Sequence, residues 1–376
     1  MKEENIPKIL EAINKTGFIT EFQVSNILAA NGWFTINNRY YLDDHTGIPR
    51  EIDIIAYKTT KIHHLLVYTA LIISCKKSNE ESWIFYTKKL NKTDPNIIFE
   101  NLDNWTNEKL LTNFDSKSKL DEIINSQLNT ESNLKTFFEI NNNVFAMQEI
   151  NNKTFALKND QNIYNSIVSI LKAKEFEQNS LSSRKKNQNV YNFFNLSIQD
   201  LEMLEFNPEN SQDPIKEINH IKYLNRFILN KKDKFHLIHF VSFNFFVDFV
   251  LRLNQLHDFL VREYSKQLDE IERTFFLNYS LYSTYLGEIT KSISNEIFIE
   301  LKYYAELITD DNLHITYGID KENCILLFFL GIENDKAVDY CNESKKLKKR
   351  IIANLEKYHF FPIHFEFRGI DHDIPF

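Results

Sequence analysis

Arg50-Glu51-Ile52-Asp53-Ile54-Ile55-Ala56, followed after a turn by Leu65-Leu66-Val67-Tyr68-Thr69-Ala70-Leu71-Ile72-Ile73-Ser74-Cys75-Lys76-Lys77, is the stretch that decides the fold. The β-branched bias of Glu51–Tyr57 reads as a strand. Leu65–Cys75 is apolar almost throughout, as expected of a central strand covered on both faces. Charge appears where these runs end. Glu51 and Asp53 alternate with Ile52 and Ile54, a spacing that sets both carboxylates on one face of the first strand. Ser74 and Lys76 share a face of the second by the same period, which would turn Ser74 toward the cleft of Asp53 and Lys76. Ionised groups at the ends of adjacent apolar strands are costly unless they meet solvent, a metal ion or a partner.

Outward from this pair, Trp33–Tyr41 reads as a strand, joined to the next through the turn Asp43-Asp44-His45-Thr46-Gly47. Trp83–Thr87 is a further short strand. Upstream, Ile6, Ile9, Leu10 and Ile13 recur at helical spacing and stop at Gly17. Thr20, with Gln23 three positions on, predicts the N-cap of a second helix whose apolar face is Val24, Ile27 and Leu28, ended by Asn31-Gly32. The result is a helix–strand–strand–strand module of roughly ninety residues.

Glu21, Asp53, Ser74 and Lys76, in this order, resemble the site of the PD-(D/E)xK restriction-endonuclease-like superfamily, above all its Mrr-like and Holliday-junction-resolvase-like branches. The resemblance covers residues 15–90. Glu21 in Thr20-Glu21-Phe22-Gln23-Val24 matches the family's helical glutamate, and Asp53 its second-strand aspartate. Ser74-Cys75-Lys76 aligns with the Glu-x-Lys or Gln-x-Lys of the third strand. The match implies DNA as substrate, Mg²⁺ or Mn²⁺ as cofactor, Glu21 and Asp53 as metal ligands, and Lys76 as the group that positions water or stabilises charge. By analogy of fold alone it also implies a role in genome defence.

Ser74 departs from the pattern. A hydroxyl is a neutral, weak ligand where a hard cation prefers carboxylate and water oxygens, so the site lacks one expected negative charge and Ser74→Glu would restore it. A catalytically degenerate fold that binds nucleic acid or protein is therefore the competing reading. Glu21 also has a structural role open to it near a helix N-terminus. Arg39, Arg50 and Lys77 are the candidate nucleic-acid contacts, with pairing to Asp43, Asp44 or Glu51 as the alternative for the two arginines.

Composition narrows the classes. Residues 1–90 carry 11 basic against 10 acidic residues, and the remainder 33 against 42, so a chain of net charge −8 keeps any nucleic-acid site local and N-terminal. The acidic remainder suits protein partners better than a long duplex, and self-association is compatible with it. Three scattered cysteines argue against a disulfide framework or a zinc site. No signal-like h-region opens the sequence and no apolar run is long enough to span a membrane, which together predict a cytoplasmic protein. Walker, GxGxxG and GxSxG motifs are absent. His63-His64 and the pair His236 and His239 lack a trustworthy metal-ligand spacing. Asp371-His372-Asp373 reads as a polar tail.

Beyond the module, Ile163–Phe176 reads as a helix, Gln178–Gln188 as a linker or loop, and Val190–Ile198 and Phe235–Phe243 as strands. Phe249, Leu253, Leu256, Leu260, Tyr264, Leu268, Ile271 and Phe275 mark one long amphipathic helix. The end reads strand (His314–Tyr317), strand (Cys324–Leu330), helix (Asp335–Lys357), strand (Ile363–Arg368). The expectation is an α/β protein: an endonuclease-like domain over 1–150 with an αβββ core on a mixed sheet, a middle α/β region over 151–290, and a small α+β unit over 291–376.

Overall fold

The computed structural model describes residues 5–43, 46–94, 102–108, 111, 117–185, 187–229, 232–274, 279–308, 313–320, 322–323, 325–357 and 364–369. Asp44-His45, Lys186, Phe275, Cys324, Ile363 and Asp371-His372-Asp373 lie outside them. The chain is mixed α/β and divides into two compact units, 1–108 with 118–264 and 109–117 with 265–376.

In the first unit, α1 (Ile6–Asn14) and α2 (Phe18–Ala30) precede β1 (Phe34–Leu42), β2 (Pro49–Ile62) and β3 (Leu65–Lys77), an antiparallel meander. The chain continues through β4 (Glu81–Lys89), β5 (Asp103–Thr106), α3 (Lys117–Thr130), α4 (Ser132–Phe138) and β6 (Asn142–Asn151). Helix α5 (Gln161–Arg184) leads into β7 (Asn189–Asp200), β8 (Met203–Phe206), β9 (Ile215–Glu217), β10 (His220–Leu229) and β11 (Lys232–Ser242). The long helix expected from Phe249 is α6 (Phe246–Thr274), and the division between the units falls within it.

The main sheet runs β1-β2-β3-β7-β11-β10, with β5 also on β7. Strand β7 lies parallel to both β3 and β11. Its pairing with β3, from Leu66–Asn189 to Lys77–Asp200, brings the stretches 1–150 and 151–290 into one sheet. Two apolar strands so far apart in sequence meet because α5 supplies the crossover that parallel pairing requires. Ile163, Ile167, Ile170, Leu171 and Leu181 of α5 pack with Ala70, Ile72, Tyr191 and Phe193 of the sheet in one buried cluster. Each buried Ile or Leu of this cluster contributes about 1.5–3 kcal/mol. Tyr68 stacks on Tyr191 at 4.1 Å between ring centroids.

Several local expectations are corrected. Gln178–Arg184 is helix, not linker, because Leu181 is buried and Arg184 returns to Glu177 of the preceding turns. Thr20 lies inside α2, whose N-cap is Gly17; the Thr20 hydroxyl donates instead to Asp200. β4 leaves the main sheet for a second one of order β6-β4-β8-β9.

The second unit holds the rest of α6, α7 (Tyr279–Ile299), a sheet of β12 (Ile315–Asp320), β13 (Ile325–Leu330) and β14 (His364–Gly369), and α8 (Asp335–Glu343) and α9 (Lys345–Lys357). The single helix expected over 335–357 breaks at Ser344, whose backbone is extended and whose Oγ accepts the Leu347 N–H at 3.2 Å. Among the described residues no helix is long and apolar enough to cross a membrane.

Candidate active site

The β2–β3 ladder runs to Ile54–Ile73, and beyond it the side chain of Asp53 replaces the backbone: Oδ2 accepts the Cys75 N–H at 2.6 Å. The two strands part here, and a carboxylate is held between their ends. Lys76 Nζ stands 4.0 Å from the same oxygen, with both side chains partly exposed.

Helix α2 brings Glu21 to this point. Burial first, then the negative charge of Asp53, raises the Glu21 pKa; Lys76 opposes the shift and Glu51 adds to it. Asn38, which hydrogen-bonds Glu21, lies between the β1–β2 pairs Asn37–Ile54 and Arg39–Ile52 and so opposite Asp53. Its φ of 51° is left-handed, a conformation that asparagine tolerates better than most residues. Glu21, Asp53 and Lys76 therefore come from a helix and two strands to one place, with Glu51 beside them and hydrogen-bonded by Tyr40.

A raised carboxyl pKa means that the ionised form is unfavourable in the folded chain. Removing that charge at neutral pH is expected to stabilise the fold. Glu21→Gln should therefore raise the melting temperature at pH 7. An unchanged or lower melting temperature would mean that Glu21 and Asp53 do not act on each other.

Ser74 takes a different position. It is 1% exposed, its Oγ has no hydrogen-bond partner, and its register partner on β7 is Ser197, which bonds Ser166 of α5 at 2.6 Å. An atom without accessible surface cannot meet a hydrated ion unless the chain moves. The residue that feels both carboxylates is Cys75: burial, then Asp53 and Glu21, pushes its thiol pKa well up. That the middle residue of the Ser-x-Lys run meets a carboxylate through its backbone N–H is a consequence of where β2 and β3 part, which no residue pattern announces.

The candidate nucleic-acid contacts are all paired. Arg39 lies 3.3 Å from the buried Glu177, which also takes the Tyr57 hydroxyl and Arg184 at 2.6 Å each. Arg50 meets Asp43 at 2.8 Å, as the alternative reading of that arginine had it. Lys77 donates to Asp200 at 2.6 Å, on the oxygen that also accepts from Thr20 at 2.7 Å, which ties α2 to β3 and β7. Arg50, 44% exposed, is the most available of the three to an outside phosphate. His236 and His239 face different partners, Lys174 and His220 respectively.

No family model matches the chain, and neither a curated protein nor a solved structure matches it.

Proposed function

We propose that the chain is a divalent-metal-dependent deoxyribonuclease that hydrolyses phosphodiester bonds. The observation that carries this reading is the convergence of Glu21, Asp53 and Lys76, with Asp53 acting on Glu21 as a like charge and lying 4.0 Å from Lys76 Nζ. Among the described residues no group of three or more His, Cys, Asp or Glu side chains is arranged to hold a metal ion. Two carboxylates nevertheless fit hydrated Mg²⁺ or Mn²⁺, since Mg²⁺ keeps several waters and is often held by one or two carboxylates. Such an ion lowers the pKa of water and neutralises phosphate charge. Glu21 and Asp53 would hold it, and its charge would relieve their mutual repulsion. Lys76 would stabilise the charge that develops on the phosphate oxygens. Arg50 would contact the backbone of the DNA.

A second reading, a degenerate nuclease fold that binds nucleic acid or protein, is favoured by the buried Ser74 and by the paired state of Arg39, Arg50 and Lys77. A genome-defence role, a cytoplasmic location, a protein partner for the acidic remainder and self-association belong to the same proposal and rest on fold analogy and charge.

The test is cleavage of single-stranded, duplex and branched DNA by the full chain with Mg²⁺ or Mn²⁺. The expected result is activity abolished by chelator and lowered about 10²–10³-fold or more by Asp53→Ala. Absence of cleavage, with Asp53→Ala indistinguishable from the parent, overturns the nuclease reading. Chelator-insensitive DNA binding that survives Asp53→Ala would then support the second.

A further inference from the structure

We infer that the basic face of α9, with Tyr303 and Tyr304 beside it, is a binding surface for single-stranded nucleic acid. The inference goes beyond the nuclease reading and stands or falls separately from it, since every residue concerned lies in the second unit. Acidic residues outnumber basic ones beyond residue 90, 42 to 33, yet Lys345-Lys346-Leu347-Lys348-Lys349-Arg350 sets five cations in six positions. The first turn of α9 holds no acidic residue to balance them. Like charges three or four apart on a helix repel one another, so this run is unfavourable until it meets an anion from outside.

Packing decides which face is open. Leu347, Ile351 and Leu355 are buried, while Lys345, Lys346 and Lys349 are exposed and Lys348 and Arg350 half-buried. Two of the five cations are committed. Arg350 donates to the buried Glu300 at 3.0 Å and lies 3.8 Å from Glu296, and Lys346 stands 3.8 Å from Glu300. Lys345, Lys348 and Lys349 have no carboxylate partner among the described residues. Lys345 and Lys349 lie about 6 Å apart along the helix axis, close enough for both to reach one sugar-phosphate strand.

The aromatic part is set where α7 ends. Residues Glu300–Tyr304 widen into a π-helical turn, in which the Ala305 N–H donates to the Glu300 carbonyl at 3.0 Å. Such turns are rare and recur at functional sites. This one buries Glu300 and Leu301 and leaves Tyr303 and Tyr304 65% and 62% exposed. Lys346 Nζ lies 4.4 Å from the Tyr304 ring centroid and Lys302 Nζ 5.8 Å from that of Tyr303, so both rings stand among the cations. Exposed rings interleaved with lysines suit a single strand, whose unpaired bases stack while its phosphates meet the ammonium groups. A duplex hides those base faces. A lipid surface or a helix-binding groove would need the apolar face of α9, which is already buried in its own unit.

The test is fluorescence anisotropy of the full chain, in chelator, with labelled oligo(dT), oligo(rU) and a DNA duplex of equal length, beside co-sedimentation with phosphatidylserine vesicles. A single strand is expected to bind, more weakly as salt rises; the tighter of the two identifies the sugar. Lys345→Gln with Lys349→Gln should weaken that binding about tenfold and lower the salt slope by about 1.4, the equivalent of two phosphate contacts on a single strand. The same variant should melt at the parent temperature or above it, because removing like charges relieves their repulsion. Tyr303→Ala with Tyr304→Ala should weaken the single strand about tenfold at an unchanged salt slope and leave the duplex unaffected. Binding of vesicles but of neither single strand, or single-strand binding unchanged in the lysine variant or in the tyrosine variant, overturns the surface. The nuclease reading, which cleavage tests, is untouched by these results.

Discussion

Between pH 7 and pH 5 the first unit is expected to lose about 6 kcal/mol of stability. Four buried or half-buried histidines are held neutral. Burial pushes His220 down to about 3, His236 and His257 to about 4, and His239 well below its ordinary value. Each has a geometric reason. His220 Nε2 and His239 Nδ1 share one hydrogen bond at 3.0 Å, so protonating both would set two donors against each other. His236 Nδ1 lies 3.3 Å from Lys174, which can only donate, so an imidazolium there would face an ammonium. His257 sits between the hydroxyls of Thr69 and Thr60, at 2.8 and 2.9 Å, with Lys58 adding positive charge. In the unfolded chain these rings bind protons near pH ~6.5. Below that value the unfolded state holds more protons than the native one, so stability falls with pH through the window from about 6.5 to 4. One and a half pKa units of deficit is about 2 kcal/mol for a single ring, and three independent equivalents approach the lower end of total domain stability, ~5–15 kcal/mol. Glu21 and Glu149, whose carboxyls are raised chiefly by burial, act in the opposite direction but are two groups against four rings. Thermal melts at pH 7 and pH 5 should differ by about 10 °C or more. A flat profile would show that the histidines are charged or solvated.

Ser74→Glu is expected to destabilise the chain by ~3–5 kcal/mol, the cost of an uncompensated buried charge. From the residue pattern alone the same substitution restores a missing metal ligand. The structure reverses the sign, because Ser74 is buried with its Oγ unpartnered, on the strand position paired with Ser197. A longer side chain there overpacks the interior, and its carboxylate would be buried without a partner. Ser74→Ala, which only deletes an unpaired hydroxyl, should melt at the parent temperature or above it. Denaturant titration of the three proteins, repeated with Mn²⁺, decides the matter. If Ser74→Glu keeps the parent's stability and gains Mn²⁺ affinity, Ser74 faces the metal site after all.

The elements with strong periodic signals were legible from residues alone. The apolar run of β3, the β-branched β2 and the repeat of Phe249, Leu253, Leu256 and Leu260 in α6 each declare one structure by spacing. So did the ordered approach of Glu21, Asp53 and Lys76, because the meander of β1, β2 and β3 is built from short connections. Long-range partners were not legible. Glu177 meets Arg39 and Tyr57 across more than a hundred positions, and nothing local marks it as the counter-ion. The pairing of β3 with β7 depends on α5 folding back over the sheet, so Gln178–Arg184 reads as polar linker until Leu181 and Arg184 find their partners. Cys75 looks like an ordinary core thiol between two candidate residues; only the parting of β2 and β3 leaves its N–H to the Asp53 carboxylate.

Glu21 and Asp53 are proposed to form one charged site able to take a divalent ion, with Lys76 beside it. Calorimetric titration of Mn²⁺ into the full chain measures this without requiring activity or a correct choice of DNA. A single saturable site is expected in the parent, weakened at least tenfold in both Asp53→Asn and Glu21→Gln, each variant folded by its melting profile. No saturable uptake by the parent, or binding in the two variants equal to it, would mean that Glu21 and Asp53 do not form a metal site.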